Sequence, residues 1–205
     1  HHDRLLQVGH LERFNAAVLA AEAHLSNPRF IECQRLAPFK ERGTDVNVVL
    51  DLMIHDIDIV QTIVGAPIET IDAVGTPVFS GAVDIANARL RFANGCVANV
   101  TASRVSLKTE RKLRVFRDDA YVSIDLQQKI LTVIRKRAAA AGPGELPVTI
   151  EEQNFEQGDA LRAEIASFLD CIRERRRPVV DGEDGLRALE TATRITAQLG
   201  AVAAA

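Results

Sequence analysis

The apolar positions of this chain change spacing as one reads along it. Leu5, Leu6 and Val8 crowd together and predict a short buried strand over 5–10. Asn15 precedes the run Ala16 to Ala23; an asparagine there is a natural N-cap, so a helix is predicted. Phe30 to Leu36 predicts a second strand, and Pro38 to Thr44 a loop. From Val48 to Val64 the spacing is helical. Gly65 suits the left-handed residue that ends a helix, and Pro67 stops the helix from resuming.

From Glu69 the period becomes two. Residues 69–79, Asp84–Phe92, Cys96–Ser103, Leu113–Phe116, Ala120–Leu126 and Ile130–Arg135 predict successive antiparallel strands. Ala93-Asn94-Gly95 is a hairpin turn signal, and Asp118-Asp119 and Gln127-Gln128 mark two more turns. The expectation is one antiparallel meander with one covered face. Ala138 to Pro147 reads as a loop and Val148–Glu151 as a last strand. Two helices close the chain, Asp159–Arg175 and Gly185–Ala201, with Leu161, Ile165, Leu169 and Ile172 on the first and Leu186, Leu189, Ala192, Ile195 and Leu199 on the second.

A chain of 205 residues suits a single domain, 1–205, with a real core, and 47% hydrophobic with 26% charged residues is the balance of a soluble globular protein. The net charge of −3 gives no general drive toward nucleic acid or an anionic membrane. The basic run Arg173 to Arg177 contains Glu174 and reads as a solvated helix end. Cys33, Cys96 and Cys171 are odd in number and form no C-x-x-C pair, which favours a reduced, cytoplasmic protein over a disulfide or zinc framework. No apolar run reaches the roughly 18–20 residues that span a bilayer, and no signal peptide is visible. There is no G-x-G-x-x-G and no P-loop. The chain opens His1-His2 and its only methionine is Met53, so the expectation is a piece of a longer protein.

Composition leaves one anomaly. "DLMIHDID", Asp51 to Asp58, puts four titratable groups inside an apolar helix. At 100° per residue, with Asp51 at the origin, His55 falls at roughly 40° and Asp58 at roughly −20°, on one stripe, while Asp56 falls at roughly 140° on the apolar side. A histidine can exchange a proton near neutral pH, and a carboxylate one turn away can orient its ring. That pattern fits an acid–base site. It equally fits a capping aspartate and a hydrogen-bonded core histidine. A metal site built on Asp51, His55 and Asp58 is a third reading, weakened because no further His or Cys completes a tetrahedral set. Asp56 needs a buried partner, a backbone amide or an arginine such as Arg89. Arg104, ending a strand, reads as an ordinary strand-edge charge or as a contact for a phosphate or carboxylate.

"LLQVGHLERFNAAV" (5–18) followed by "DLMIHDIDIV" (51–60) resembles the Gfo/Idh/MocA family of NAD(P)-dependent sugar oxidoreductases. "DIANARLRFANGCVANVTASR" (84–104) and "DGEDGLRALETA" (181–192) are also similar to that family. The resemblance implies its C-terminal domain: an α+β fold with a large, open, mixed, mostly antiparallel sheet and helices on one face. It also implies that the N-terminal Rossmann domain is missing from this chain, together with the Glu-Lys-Pro segment that supplies a catalytic lysine. By resemblance Asp51 and His55 are catalytic, His55 as general base and Asp51 orienting the substrate hydroxyl or His55. Asp58 is left as support. His10, Arg13 and Asn15 border the substrate pocket; Arg13 alternatively serves a salt bridge, and Asn15 only a cap.

The cofactor implied is NAD or NADP, bound mainly by the missing domain; no metal is implied. The phrases "VGHLERFN" and "LMIHDIDIV" are most similar to the branch that oxidises the 3-hydroxyl of UDP-linked N-acetylhexosamines to a ketone, with inositol or a free sugar as alternative substrates. The fragment alone is expected to be inactive. The family's open sheet face implies a homodimer or homotetramer. Two other classes of function stay open, an oligomerisation module and a sugar-binding module without chemistry.

Overall fold

The computed structural model describes residues 4–41, 43–137, 146–156 and 158–202. Eight strands form one sheet: β1 (Phe30–Leu36), β2 (Ile68–Thr76), β3 (Ile85–Phe92), β4 (Val97–Ser103), β5 (Glu110–Phe116), β6 (Ala120–Asp125), β7 (Ile130–Lys136) and β8 (Val148–Asn154). Their order is β2-β3-β4-β1-β5-β6-β7-β8. The expected single meander is therefore two meanders, β2 to β4 and β5 to β8, with β1 between them. β1 runs parallel to β4 and antiparallel to β5. Hairpin neighbours announce themselves through turn residues and period, whereas the insertion of β1 is a long-range pairing with no local signal.

Four helices accompany the sheet: α1 (Ala16–Ala21), α2 (Ile54–Val64), α3 (Ala160–Glu174) and α4 (Gly182–Val202). The Asn15 side chain caps α1 by accepting from the Ala17 amide at 3.1 Å. A π-helical turn, Val49–Met53, leads directly into α2, and Asn47 caps it by accepting from the amides of Val49 and Leu50. Gly65 ends α2 at φ 62°, where a side chain would be strained. Strand alternation turns Ile31, Cys33, Ala88, Leu90, Val100, Leu113, Val115 and Ile124 to one face, where they are buried in one core with Ala17, Met53, Val60, Ala192 and Ile195 of the helical layer.

The opposite face of the sheet carries a row in register across five strands, Phe30, Phe116, Tyr121, Ile134 and Ile150. The Phe30, Phe116 and Tyr121 rings stack along it at centroid distances of 5.7 and 5.1 Å.

Local boundaries depart from the sequence reading for identifiable reasons. Residues 5–10 are not a strand. They run across α3 and the turn before α4, where the Gln7 side chain donates to the Glu164 carbonyl of α3 at 3.1 Å and the Val8 amide donates to the Val180 carbonyl at 3.0 Å. A Cβ on Gly185 would come within 2.8 Å of the Val8 side chain, so glycine is what lets the segment lie so close. β2 stops at Thr76 because Asp84 gathers the amides of Val78, Phe79 and Ser80 into a turn. α4 starts three residues early because Asp181 accepts from the amides of Glu183 and Asp184. Most of the loop expected at 138–147 lies outside the described residues.

Candidate active site

α2 is buried on most sides because α4 and strands β1 and β4 all pack against it. Such a helix tolerates charge only where each charge finds a partner. Asp56 finds Arg35 of β1: Nε donates to Oδ2 at 2.9 Å and Nη2 to Oδ1 at 2.7 Å, with both side chains about 5% exposed or less. Arg35 also donates to Glu12 at 3.2 Å, and Glu12 further accepts from Arg111 and Asn15. Arg89 is therefore not the partner of Asp56. Its strand parity turns it away from the core, where it donates to Asn99 at 3.0 Å.

Asp58 finds Arg13 instead. The Arg13 Nε lies 3.1 Å from Asp58 Oδ2, close enough for an ion pair but not aligned as a hydrogen bond, and Arg13 also reaches Asp184 at 3.6 Å. Burial raises the Asp58 carboxyl above its ordinary range, and the Arg13 cation only partly reverses this. Asn15 is buried between its own helix cap and the Leu126 carbonyl, to which it donates at 2.8 Å. Arg104 is held inside the protein: it pairs with Asp84 at 2.7 Å and donates to the carbonyls of Gly43 and Val46. Burial alone would raise the Asp84 carboxyl; hydrogen bonds from Ser80, the Val78 amide and Arg104 more than reverse that and hold it below the usual range.

Among the described residues, His55 is the titratable group of α2 without an ion-pair partner. Its Nδ1 lies 3.4 Å from Nδ1 of His10, and the two rings meet edge to face at 5.5 Å and 80°. His10 is buried, and His55 is half-buried in the first turn of α2. Burial, then the Arg35 cation, then His10 push the His55 imidazole down to about 4, against weaker opposing pulls from Asp56 and Glu12. His55 is thus neutral at pH 7, which suits a proton acceptor. Asp51 sits in the π-helical turn with its carboxylate against the backbone of Gly43, 3.5 Å from where a Cβ would stand. Among the described residues no hydrogen bond or ion pair joins Asp51 to His55.

The α-helical projection put Asp51, His55 and Asp58 on one stripe. The π-helical turn, closed by a bond from the Ile54 amide to the Val49 carbonyl, interrupts the period that projection assumed. Of the five expected site residues, the structure joins His10 to His55 and sets Arg13 and Asn15 in the ion-pair and capping network beside them. The sequence reading missed Arg35 and Glu12. Their signal was available in part: Ile31, Cys33 and Arg35 alternate on the covered side of β1, so an arginine had to point into the core.

Two clefts flank this region, one of about 590 Å³ lined by Arg13, Gln61, Asp184, Arg187 and Arg194, the other of about 380 Å³ lined by Glu12, Asn15, Arg111, Leu126 and Lys129. His55 lines neither. Among the described residues no three of His, Cys, Asp or Glu come together as a metal-binding group.

A sequence model of the GFO/IDH/MocA C-terminal domain matches residues 16–123, more than half of the chain. The chain belongs to this family. It is 38% identical over 192 residues to UDP-N-acetylglucosamine 3-dehydrogenase of Acidithiobacillus ferrooxidans, covering 93% of this chain and 61% of that protein. A solved structure of UDP-N-acetylglucosamine 3-dehydrogenase from that organism superposes with a TM-score of 0.88 at 36% identity, over 96% of this chain and 63% of the other. The myo-inositol 2-dehydrogenase of Thermotoga maritima is 26% identical over 149 residues, 69% of this chain and 43% of that protein. A levoglucosan dehydrogenase solved with NADH and L-sorbose shares the fold, with a TM-score of 0.81 at 15% identity over 96% of this chain and 65% of the other. The Gfo/Idh/MocA chain described here thus spans under two thirds of the length of these relatives. The α+β fold with one open mixed sheet is the family's C-terminal domain.

Proposed function

We propose that this chain is the substrate-binding and proton-handling part of an NAD(P)-dependent sugar dehydrogenase, and that its substrate is a UDP-linked N-acetylhexosamine whose hydroxyl becomes a ketone. The observation that carries the reading is His55: neutral, half-buried, and alone among the titratable groups of α2 in having no ion-pair partner among the described residues. The 38% identity to UDP-N-acetylglucosamine 3-dehydrogenase supports the substrate class.

Oxidising a hydroxyl needs a two-electron acceptor. The residues of this chain do not fit a dinucleotide. A pyrophosphate is commonly held by free amides at a glycine-rich helix start. Here Asn15 and Asp159 each cap one of those amides, and Asn47 and Asp181 two each, at the four helical starts, and α4 adds Glu183 and Asp184 in its first turn. The acceptor therefore belongs to a domain outside this chain, in keeping with a single 1–205 domain that serves substrate and assembly. What the chain itself does is bind the sugar and take the hydroxyl proton onto His55, while Arg35, Asp56 and Glu12 hold the surrounding charge fixed. Asp51, facing Gly43 without a side-chain partner among the described residues, is left to contact the substrate.

No described helix is long and apolar enough to cross a membrane, and the three cysteines are free and buried; both suit a cytoplasmic enzyme. The apolar row Phe30, Phe116, Tyr121, Ile134 and Ile150 suits pairing with a second copy through the open sheet face. The experiment is reduction of NAD or NADP by the complete protein with UDP-N-acetylglucosamine, myo-inositol and glucose in parallel. The nucleotide sugar is expected to exceed the others in kcat/KM by about tenfold or more. Turnover of inositol alone would overturn the substrate, and binding without turnover of any sugar would assign a binding module.

A further inference from the structure

The contact between the two histidines restricts where their hydrogens can sit. Both rings present Nδ1 to each other at 3.4 Å, with no other hydrogen-bond partner at either nitrogen among the described residues. A neutral imidazole carries one N–H and one bare nitrogen. A hydrogen bond across this contact puts one hydrogen between the two Nδ1 atoms; two would collide, and none would set two lone pairs against each other. Only two neutral arrangements satisfy the pair: either His55 donates and His10 accepts, or the reverse. In the first, Nε2 of His55 is bare. In the second, Nε2 of His55 carries the hydrogen and cannot take a proton.

We infer that His10 is a positioning residue that fixes the tautomer of His55, holding the hydrogen on His55 Nδ1 and leaving His55 Nε2 as the bare nitrogen that meets the substrate hydroxyl. This rests on His55 being the base. Proton balance distinguishes the two arrangements. When Nε2 takes the hydroxyl proton, His55 becomes an imidazolium with hydrogens on both nitrogens. In the first arrangement its Nδ1–H still donates to a bare His10 Nδ1, so the hydrogen bond persists and strengthens as charge appears. In the second, a proton entering at His55 Nδ1 would face the hydrogen on His10. His10 is placed for this by the extended segment before it: Val8 is tied to Val180 and Gln7 to Glu164, so the ring is presented by backbone anchored on α3 and on the turn before α4. Of the other charges facing the pair, Arg35 of β1, Asp56 of α2 and Glu12 of the 3-10 turn Leu11–Phe14 are tied to one another, and Asp58 of α2, which acts on His10, is paired with Arg13. They are not free to supply His55 with a different acceptor.

The test reads the tautomer directly. Long-range proton–nitrogen correlation on this chain with 15N-labelled histidine should show His55 with a pyrrole-type Nδ1 and a pyridine-type Nε2. His10→Leu should return His55 to the Nε2–H form that imidazole prefers in water. His10→Asn, whose amide oxygen can accept from the same Nδ1–H, should keep the wild-type pattern. In the complete protein His10→Leu should lose about tenfold or more in kcat with little change in KM, and His10→Asn should recover most of that loss. A wild-type spectrum with the hydrogen on Nε2 of His55 overturns the inference even if no variant folds. So does an unchanged His55 pattern in His10→Leu. If instead His55→Ala keeps full activity, the base reading fails, whatever the spectrum shows.

Discussion

Arg35 and Asp56 form a two-pronged ion pair, at 2.9 and 2.7 Å, across the contact between β1 and the helix that carries His55. The pair joins the sheet to α2 and places a fixed cation among the groups that act on the imidazole. Removing one partner leaves the other charged and buried. Asp56→Ala is expected to cost about 3–5 kcal/mol in urea unfolding, whereas Arg35→Met with Asp56→Leu together should restore much of it. The double variant also loses a cation that lowers the His55 pKa more than Asp56 raises it. Its His55 should therefore titrate above 4, toward 6.5, in a proton NMR titration.

Stability should follow His55 with a definite sign. Its folded pKa of about 4 lies below the ordinary 6.5. Between those values the unfolded chain binds more protons, so the contribution of His55 is complete above about pH 6.5 and is lost as pH falls toward 4. The full loss is on the order of 3 kcal/mol, less to the extent that water reaches the ring. His55→Gln should flatten the slope of unfolding free energy in that window.

Arg104 gives a contrasting case. It is enclosed by Asp84, Ser80 and two carbonyls, so it anchors a turn and is not free to meet a ligand. Asp84→Ala should destabilise by about 3–5 kcal/mol while leaving kcat and KM of the folded complete protein within about twofold. A selective rise in KM would place Arg104 at the substrate.

The row across the open sheet face predicts assembly. Light scattering after size exclusion should show a dimer or tetramer at micromolar concentration, and Tyr121→Glu, which puts a charge in the middle of the row, should shift it toward monomer. A wild-type monomer would contradict that use of the face.

Much of this was legible in the sequence because it is local. Asn15 before an alanine-rich run, Gly65 after an apolar one, and Asn94-Gly95 between alternating strands each state their structure through neighbouring residues. β1 between β4 and β5 is not local, nor is the seat of Val8 on Gly185. Both depend on contacts between distant parts of the chain. The site divides the same way. Asp51 and His55 stand out as charge inside an apolar helix, but their partners come from elsewhere. Arg35 arrives from a strand and His10 from an extended segment that the pattern assigned to a strand. The π-helical turn puts Asp51 outside the regular period assumed for it, while His55 and Asp58 stay together within α2.

The most direct measurement is kcat/KM for NAD reduction with UDP-N-acetylglucosamine by the complete protein, wild type against His55→Ala at pH 7, with unfolding curves to confirm equal folded fractions. If His55 takes the hydroxyl proton, the variant loses about a hundredfold or more. A loss smaller than about tenfold, roughly 1.4 kcal/mol of barrier, would contradict the account.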